Sequence, residues 1–233
     1  VCPSEDPVAW LVDQLAIIEE DFSRRVDRPE SIFLLPESLL ATAIRQFPSL
    51  QFGCQSIIEE DVAHQKNFGA FTGMRTAKSM RALGCGWTMI GHSEERKAMK
   101  ALITEYGESS GHPANEKVVE LVVGNRLNRM VARALEGDLK VMLCIGESAA
   151  QRGEGEADPL LFARVRDVLR EQLVVALAGF DRTMLQDRLV IAYEPIWAIG
   201  PGKTPPDAHY IDTIAQMVHQ WCLTTLDADV PVL

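Results

Sequence analysis

Two residues of this sequence could do acid–base chemistry together, and each directly follows an apolar run. Glu194 ends the run "RLVIAYE", and Pro195 after it confines Glu194 to extended geometry and so fixes the direction of its side chain. His92 follows the run "WTMIG", and Ser93–Glu95 read as the first turn of a helix. Free N–H groups at that helix end can donate to one ring nitrogen, so that the neutral imidazole donates from its other nitrogen to a developing oxyanion. A carboxylate base and such a donor suit the abstraction of a proton from carbon.

The segment after Glu194 has the composition of a lid. It reads "IWAIGPGKT" and combines bulky apolar residues with Gly200 and Gly202. Apolar groups can cover a site, and glycines can absorb the backbone rotation of closure. Closure helps a base that abstracts a proton from carbon, because water would solvate the base and trap the intermediate.

The composition excludes several functional classes. A net charge of -10 argues against nucleic acid and acidic membrane surfaces as partners, although a small anion needs only a local group of N–H donors. Apolar residues make up 47% of the chain, but none of the apolar runs is long enough to span a membrane. The beginning "VCPSEDPVAW" lacks the pattern of a secretion signal. The five cysteines, Cys2 among them, show no CxxC spacing, so we expect reduced thiols in the cytoplasm and neither a disulfide framework nor a zinc site.

The elements that must position Glu194 and His92 alternate between strand and helix. The predicted strands are Ser31–Leu35, Leu50–Cys54, Trp87–Gly91, Lys140–Ile145, Arg188–Glu194 and Val230–Leu233. The first three predicted helices are one that starts at Asp6–Pro7, one over Leu39–Phe47 and one that ends at Gly84. Three more are predicted from about Pro113 to Glu136 with an interruption at Gly124, over Asp158–Ala178, and from Pro206 to about Leu226. This alternation predicts a parallel sheet in a single domain over residues 1–233. A doubly wound sheet and a (β/α) barrel fit the pattern equally well, and either would place catalytic groups where the strands end.

Four motifs resemble those of the triosephosphate isomerase family. They are "IGHSEER", "AYEPIWAIGPGKTP", "FGAFTG" (Phe68–Gly73), which resembles the family's interface loop, and "MLCIGE" (Met142–Glu147), which resembles the end of its fifth strand. They occur in the family's order at strand ends. The resemblance implies a (β/α)8 TIM barrel, of which six strands are recognisable. The first strand and the last βα unit are not among them, so we expect the working protein to carry further residues at both ends, including the family's Asn-x-Lys and glycine-rich phosphate loops.

The resemblance also implies an activity and a role for individual residues. Glu194 would move a proton between adjacent carbons of a sugar phosphate, and His92 would polarise the carbonyl, the known pairing of this family. Gly200 would donate its N–H to the substrate phosphate, and Thr72 would lie in the loop that docks on a second subunit of a homodimer. The implied enzyme interconverts dihydroxyacetone phosphate and glyceraldehyde 3-phosphate in cytoplasmic glycolysis and gluconeogenesis, and needs no cofactor.

Three further acidic or thiol residues have more modest predicted roles. Glu94 matches an acidic residue that supports the family's site, and as a first-turn carboxylate it also stabilises its helix. Cys144 matches a cysteine near the catalytic glutamate, where a buried packing role is expected. Glu147 is interpreted as a solvated or ion-paired carboxylate.

Some positions depart from the family pattern and leave alternatives open. Glu95 replaces the first arginine of His-Ser-Glu-Arg-Arg, Pro201 stands in the lid where threonine is common, and the family's Asn-x-Lys is not found. One alternative is an isomerase of a four-carbon ketose phosphate, since the scaffold could accept a longer chain. Another is a non-catalytic paralogue that acts as a binding or scaffold protein.

Overall fold

The computed structural model describes residues 6–25, 30–63, 66–67, 69–153 and 160–233, in which helices alternate with short strands. The strands are β1 (Ile32–Leu35), β2 (Gln51–Cys54), β3 (Trp87–Ile90), β4 (Lys140–Ile145) and β5 (Leu189–Tyr193). The helices are α1 (Pro7–Arg24), α2 (Glu37–Gln46), α3 (Ala77–Leu83), α4 (Ser93–Ser109), α5 (Glu116–Glu136), α6 (Ala149–Arg152), α7 (Leu161–Ala176), α8 (Arg182–Leu185) and α9 (Ala208–Leu226), with a 3-10 helix at Ile196–Ala198. None of the helices in these ranges is long and apolar enough to cross a membrane.

Two helix ends follow directly from local sequence signals. Asp6 caps α1 by accepting hydrogen bonds from the N–H groups of Val8 and Ala9, both at 3.0 Å, and Pro7 occupies the first turn, as predicted. Helix α3 ends at Gly84, whose φ of +111° is the left-handed conformation that favours glycine. Both predictions are confirmed.

Residues Val1–Met89 and Arg133–Lys140 form one compact unit. In it β1 pairs with β2 in parallel, from Ile32 opposite Gln51 to Leu35 opposite Cys54. Strand β2 pairs in parallel with β3, with Gly53 opposite Trp87. The buried apolar side chains of this unit include Leu11, Leu15, Leu40, Phe52 and Met80.

Residues Ile90–Ala132 and Val141–Leu233 form a second compact unit, which contains the candidate site. Its strands β4 and β5 pair in parallel, from Val141 opposite Leu189 to Ile145 opposite Tyr193. Most residues of both strands are buried, as their apolar runs predict. The buried side chains around them include Leu127, Leu143, Leu169, Ile191 and Ile214.

The predicted strand Val230–Leu233 is wrong, because the structure has only a single parallel bridge there, between Val232 and Ile191. The carbonyl of Pro231 accepts from the N–H of Ile191 at 2.9 Å, and the N–H of Leu233 donates to the carbonyl of Ile191 at 2.8 Å. The N–H of Tyr193 also donates to the carbonyl of Leu233 at 2.9 Å, but on the other side of the bridge the ladder would need an N–H from residue 231, and proline has none. The described part of the chain therefore has five strands and one bridge.

The predicted interruption of a helix at Gly124 is also wrong, because α5 runs through it without a break. A Cβ added at Gly124 would lie 2.6 Å from Cγ1 of Val175 on α7. Glycine at this position lets two helices approach closely and does not break the helix. Smaller differences concern helix starts. Helix α5 begins at Glu116 and not at about Pro113, and α9 begins at Ala208, with Asp207 as its cap, and not at Pro206. The predicted start of a helix at Asp158 lies outside the described residues.

Candidate active site

The candidate site begins at the end of β3, where the backbone turns to present His92. Gly91 is buried and has a φ of +80°, a conformation that side chains other than glycine rarely adopt. A Cβ at Gly91 would also lie 3.0 Å from the carbonyl oxygen of Cys144. His92 follows as the N-cap of α4, as the sequence predicts.

The side chain of Glu194 meets His92 directly. Oε1 of Glu194 lies 2.9 Å from Nε2 of His92, and Oε2 accepts a hydrogen bond from the N–H of Ser93 at 3.0 Å. The two side chains are only partly exposed, at 17% for Glu194 and 33% for His92. The structure thus brings the two predicted catalytic residues together, with both carboxylate oxygens engaged at the N-terminus of α4.

The hydrogen bonds of His92 assign its ring proton. Nδ1 accepts from the N–H of Glu94 at 3.3 Å, so Nδ1 carries no proton in this arrangement. The proton therefore belongs on Nε2, which donates it to Glu194. His92 can offer this N–H to an oxygen atom of a substrate without carrying a charge.

Two side chains of the first turns of α4 hold the backbone of Gly91. Oε2 of Glu95 accepts the Gly91 N–H at 2.7 Å, and Nε of Arg96 donates to the Gly91 carbonyl at 2.7 Å. Arg96 also donates from Nη2 to the carbonyl of Cys144 at 2.9 Å, which ties the ends of β3 and β4 together. Burial lowers the pKa of the Arg96 guanidinium, and the nearby carboxylate of Glu120 opposes that shift.

The end of β4 passes so close to Glu194 that only glycine fits there. A Cβ at Gly146 would lie 1.8 Å from the carbonyl oxygen of Glu194. The amide of Gln172 on α7 holds Gly146 in place, since its oxygen accepts the Gly146 N–H at 3.1 Å and its nitrogen donates to the Gly146 carbonyl at 2.7 Å. The glycine of "MLCIGE" is thus required by the backbone that carries the base.

Glu147 is fully buried, so its interpretation as a solvated or ion-paired carboxylate is wrong. Its Oε1 accepts from the indole Nε1 of Trp197 at 2.7 Å and from the hydroxyls of Tyr193 at 2.9 Å and Tyr210 at 3.3 Å. Burial raises the pKa of the Glu147 carboxyl, and these hydrogen bonds oppose the shift. The three donors come from β5, the 3-10 helix and α9, so one carboxylate joins three elements around Glu194.

The expected lid begins at the 3-10 helix Ile196–Ala198. Trp197 packs its ring under the guanidinium of Arg152, with 4.2 Å from Cζ to the ring centroid, and meets Tyr210 edge to face at 5.7 Å. Gly200 and Gly202 are exposed and have φ values of +117° and +75° on either side of Pro201. The start of this segment is firmly anchored, and its glycines lie in the exposed part.

The remaining predicted site residues lie in different surroundings. Cys144 is buried, and burial together with the Glu194 carboxylate raises the pKa of its thiol to about 12, so the thiol stays protonated. The side chain of Glu94 is exposed in the first turn of α4. Thr72 is exposed in a loop of the unit that contains β1 to β3, between Phe71 and Gly73, which both have positive φ. Phe68, the first residue of the motif "FGAFTG", lies outside the described residues. Within the described ranges, no group of three or more His, Cys, Asp or Glu residues is arranged to hold a metal ion.

Sequence reasoning missed Glu147 together with its donors Trp197 and Tyr210, and it also missed Glu95. One available signal was the repeat of Ile-Gly at two strand ends, in Ile90–His92 and Ile145–Glu147, which places Glu147 at a position equivalent to that of His92. The role of Tyr210 has no comparable signal, because its partner lies far away in the chain.

Comparisons with known proteins show which family this chain resembles. A family model described as triosephosphate isomerase matches residues 13–233. The triosephosphate isomerase of Nitratidesulfovibrio vulgaris (strain DP4) is 37% identical over 147 residues, which cover 63% of this chain and 47% of that protein. The triosephosphate isomerase of Synechococcus sp. (strain RCC307) is 32% identical over 195 residues, which cover 83% of this chain and 62% of that protein. The chain spans about half the length of the curated relatives it matches.

A solved structure shows the fold. The crystal structure of triosephosphate isomerase from Bartonella henselae matches 99% of this chain and 78% of its own, with a TM-score of 0.66 and 21% sequence identity. The predicted fold class, the α/β barrel, is confirmed by this match, which decides between the two architectures that the strand pattern left open.

Proposed function

This chain belongs to the triosephosphate isomerase family, and we propose that it interconverts dihydroxyacetone phosphate and D-glyceraldehyde 3-phosphate without a cofactor. The observation that carries the proposal is the pair formed by Glu194 and His92, with 2.9 Å between Oε1 and Nε2. A carboxylate and an N–H donor in direct contact can act on adjacent atoms of one small substrate.

The proposed reaction begins when the substrate carbonyl replaces Glu194 as the acceptor of the His92 N–H. The carboxylate of Glu194 then takes a proton from the carbon next to the carbonyl, and the electron pair of the broken C–H bond forms the double bond of an enediolate. His92 stabilises the negative oxygen through Nε2 and exchanges protons between the two oxygens. Glu194 returns its proton to the neighbouring carbon, which completes the isomerisation.

The surroundings of the pair support this chemistry. Glu147 anchors Trp197 at the start of the lid, three residues after Glu194, and so helps to hold the backbone that carries the base. The glycines Gly200 and Gly202 would allow closure, and the N–H of Gly200 would bind the substrate phosphate. Exclusion of water would protect the enediolate from side reactions.

Assembly and location belong to the same proposal and rest on the family resemblance. The loop that carries Thr72 would dock on a second copy of the chain near the site of that copy and give a symmetric dimer. The exposed position of Thr72 is compatible with such a contact. The proposed location is the cytoplasm.

Replacement of the base tests the proposed function. The variant Glu194→Gln keeps the shape of the side chain but cannot accept a proton, so we expect kcat to fall by at least about 10²–10⁴-fold, the range of general base catalysis. Turnover of glyceraldehyde 3-phosphate is measured in a coupled assay, with a four-carbon ketose phosphate as the second substrate.

The matched control is Glu105→Gln, which changes an exposed glutamate of α4 in the same way. Its turnover should equal that of the unsubstituted protein. A Glu194→Gln protein that keeps turnover within about tenfold of the unsubstituted protein contradicts the assignment of the base.

A further inference from the structure

Gly91 is held at both of its polar backbone groups by consecutive side chains of α4. The carboxylate of Glu95 accepts its N–H, and the guanidinium of Arg96 donates to its carbonyl, each at 2.7 Å. Hydrogen bonds in which one partner is charged are stronger than neutral ones. A buried glycine with a φ of +80° is thus held by two charge-assisted bonds.

The position of Gly91 determines the position of His92. The two residues are adjacent, and the ring of His92 must keep Nε2 within 2.9 Å of Glu194 while Nδ1 receives the N–H of Glu94. A glycine has more accessible backbone conformations than any other residue, so the turn needs external contacts to stay in one of them. Without an acceptor, the buried N–H of Gly91 would be left unsatisfied, which is unfavourable, and the backbone would rotate to find another acceptor.

Arg96 cannot test this idea alone, because its buried side chain also bonds to the carbonyl of Cys144. Removal of such a group takes a donor from two buried carbonyls, those of Gly91 and Cys144, and destabilises the surrounding unit. Glu95 is only half-buried, and its contact with Gly91 can be removed with less damage.

We propose that Glu95 is a positioning residue of the isomerase site, which acts through the Gly91 N–H to keep the His92 ring directed at the substrate oxygen. The inference rests on the proposed function for its catalytic consequence. The alternative role of Glu95 is purely structural, since a carboxylate in the first turn stabilises a helix through its dipole. That role would change Tm and leave kcat as it is.

Two variants of Glu95 separate these roles. Glu95→Ala removes the acceptor, whereas Glu95→Gln keeps an oxygen that can accept the Gly91 N–H and removes the charge that acts on the helix dipole. We expect Glu95→Ala to lower kcat by roughly 10- to 10²-fold, the effect of a small misplacement of a catalytic group, with KM within about threefold of the original value. Glu95→Gln should recover most of kcat. The control Glu105→Ala, an exposed glutamate on the same helix, should leave kcat unchanged.

A second measurement does not depend on activity. In NMR spectra of the labelled protein, the amide proton of Gly91 should move upfield in Glu95→Ala, because its hydrogen bond to the carboxylate is lost, and should stay near its original position in Glu95→Gln. Unchanged kcat in a folded Glu95→Ala protein would overturn the inference, and so would equal loss of kcat in both variants. If the unsubstituted protein does not turn over triose phosphate, the proposed function fails, while an upfield shift of Gly91 would still establish the contact that Glu95 makes.

Discussion

At the scale of single residues, Glu147 is the group whose environment differs most from that of an ordinary glutamate. It is fully buried, and its hydrogen-bond partners are the neutral donors of two tyrosines and a tryptophan. Burial raises the pKa of its carboxyl above the ordinary value of 4.5. The folded protein therefore keeps a proton on Glu147 at pH values where the unfolded chain has lost it.

This difference predicts how the stability depends on pH. Because the folded pKa is raised, the contribution of Glu147 to the free energy of unfolding is fully present below pH 4.5 and is lost as the pH rises through the folded pKa. Glu147→Gln has no such proton, so the free energy of unfolding of the unsubstituted protein should fall relative to that of the variant as the pH rises from 4.5 towards neutrality. Urea unfolding of both proteins at several pH values measures this difference.

A difference between the two proteins that stays constant over this pH range would contradict the prediction. It would mean that the carboxyl ionises as easily in the folded protein as in the unfolded chain. Asp181 provides a control, because it is exposed at a helix start and the pKa of its carboxyl is lowered by the hydrogen bond from Thr183. Asp181→Asn should therefore not reproduce the trend of Glu147→Gln.

At the scale of elements, the contact between α5 and α7 depends on the absence of a side chain at Gly124. A Cβ at this position would lie 2.6 Å from Cγ1 and 3.0 Å from Cβ of Val175. Ala favours a helix over Gly by about 1 kcal/mol, but overpacking costs typically about 1–3 kcal/mol. Because the close approach includes the Cβ of Val175, which a change of side-chain rotamer cannot move aside, the packing effect should be the larger one.

We therefore expect Gly124→Ala to lower the free energy of unfolding by up to about 2 kcal/mol, as measured by urea unfolding. The matched control is Asn125→Ala, since Asn125 is the next residue of the same helix and is exposed. Its substitution should leave the stability unchanged or raise it by a few tenths of a kcal/mol, roughly the difference in helix propensity. A Gly124→Ala protein that is more stable than the original would show that α5 and α7 can move apart at low cost.

At the scale of the whole molecule, the proposed dimer makes a prediction that light scattering can test directly. If the loop of Thr72 docks on a second copy, light scattering at micromolar concentration should give twice the monomer mass. Thr72→Arg places a bulky charge in that contact, so it should yield monomers with reduced turnover. Ser109→Arg, at an exposed residue of α4, is the control and should stay dimeric. A monomeric original protein with full turnover would remove the proposed role of Thr72.

Local patterns were sufficient to predict the positions of β1 to β5 and to single out the two residues that are proposed as base and electrophile. Apolar runs mark β1 to β5, Asp6 and Gly84 mark helix ends, and Pro195 marks the point where Glu194 leaves its strand. These features depend on neighbouring residues, whose spacing and backbone preferences are readable directly. The resemblance of four motifs to one family added the fold class and the expected chemistry, and the family match and the solved structure agree with it.

Only the tertiary structure decided which residues meet. Three contacts depend on how strand ends and helix starts come together: the 2.9 Å contact of His92 with Glu194, the hydrogen bonds of three side chains to the buried Glu147, and the bond of Glu95 to Gly91. Gly124 shows the same limit, since a glycine within a helical pattern can mark a break or a close contact, and only the position of Val175 distinguishes them. Composition and periodicity depend on the residues that follow one another along the chain. Burial, hydrogen bonding and pKa shifts depend instead on residues that are close in space, which the sequence does not give directly.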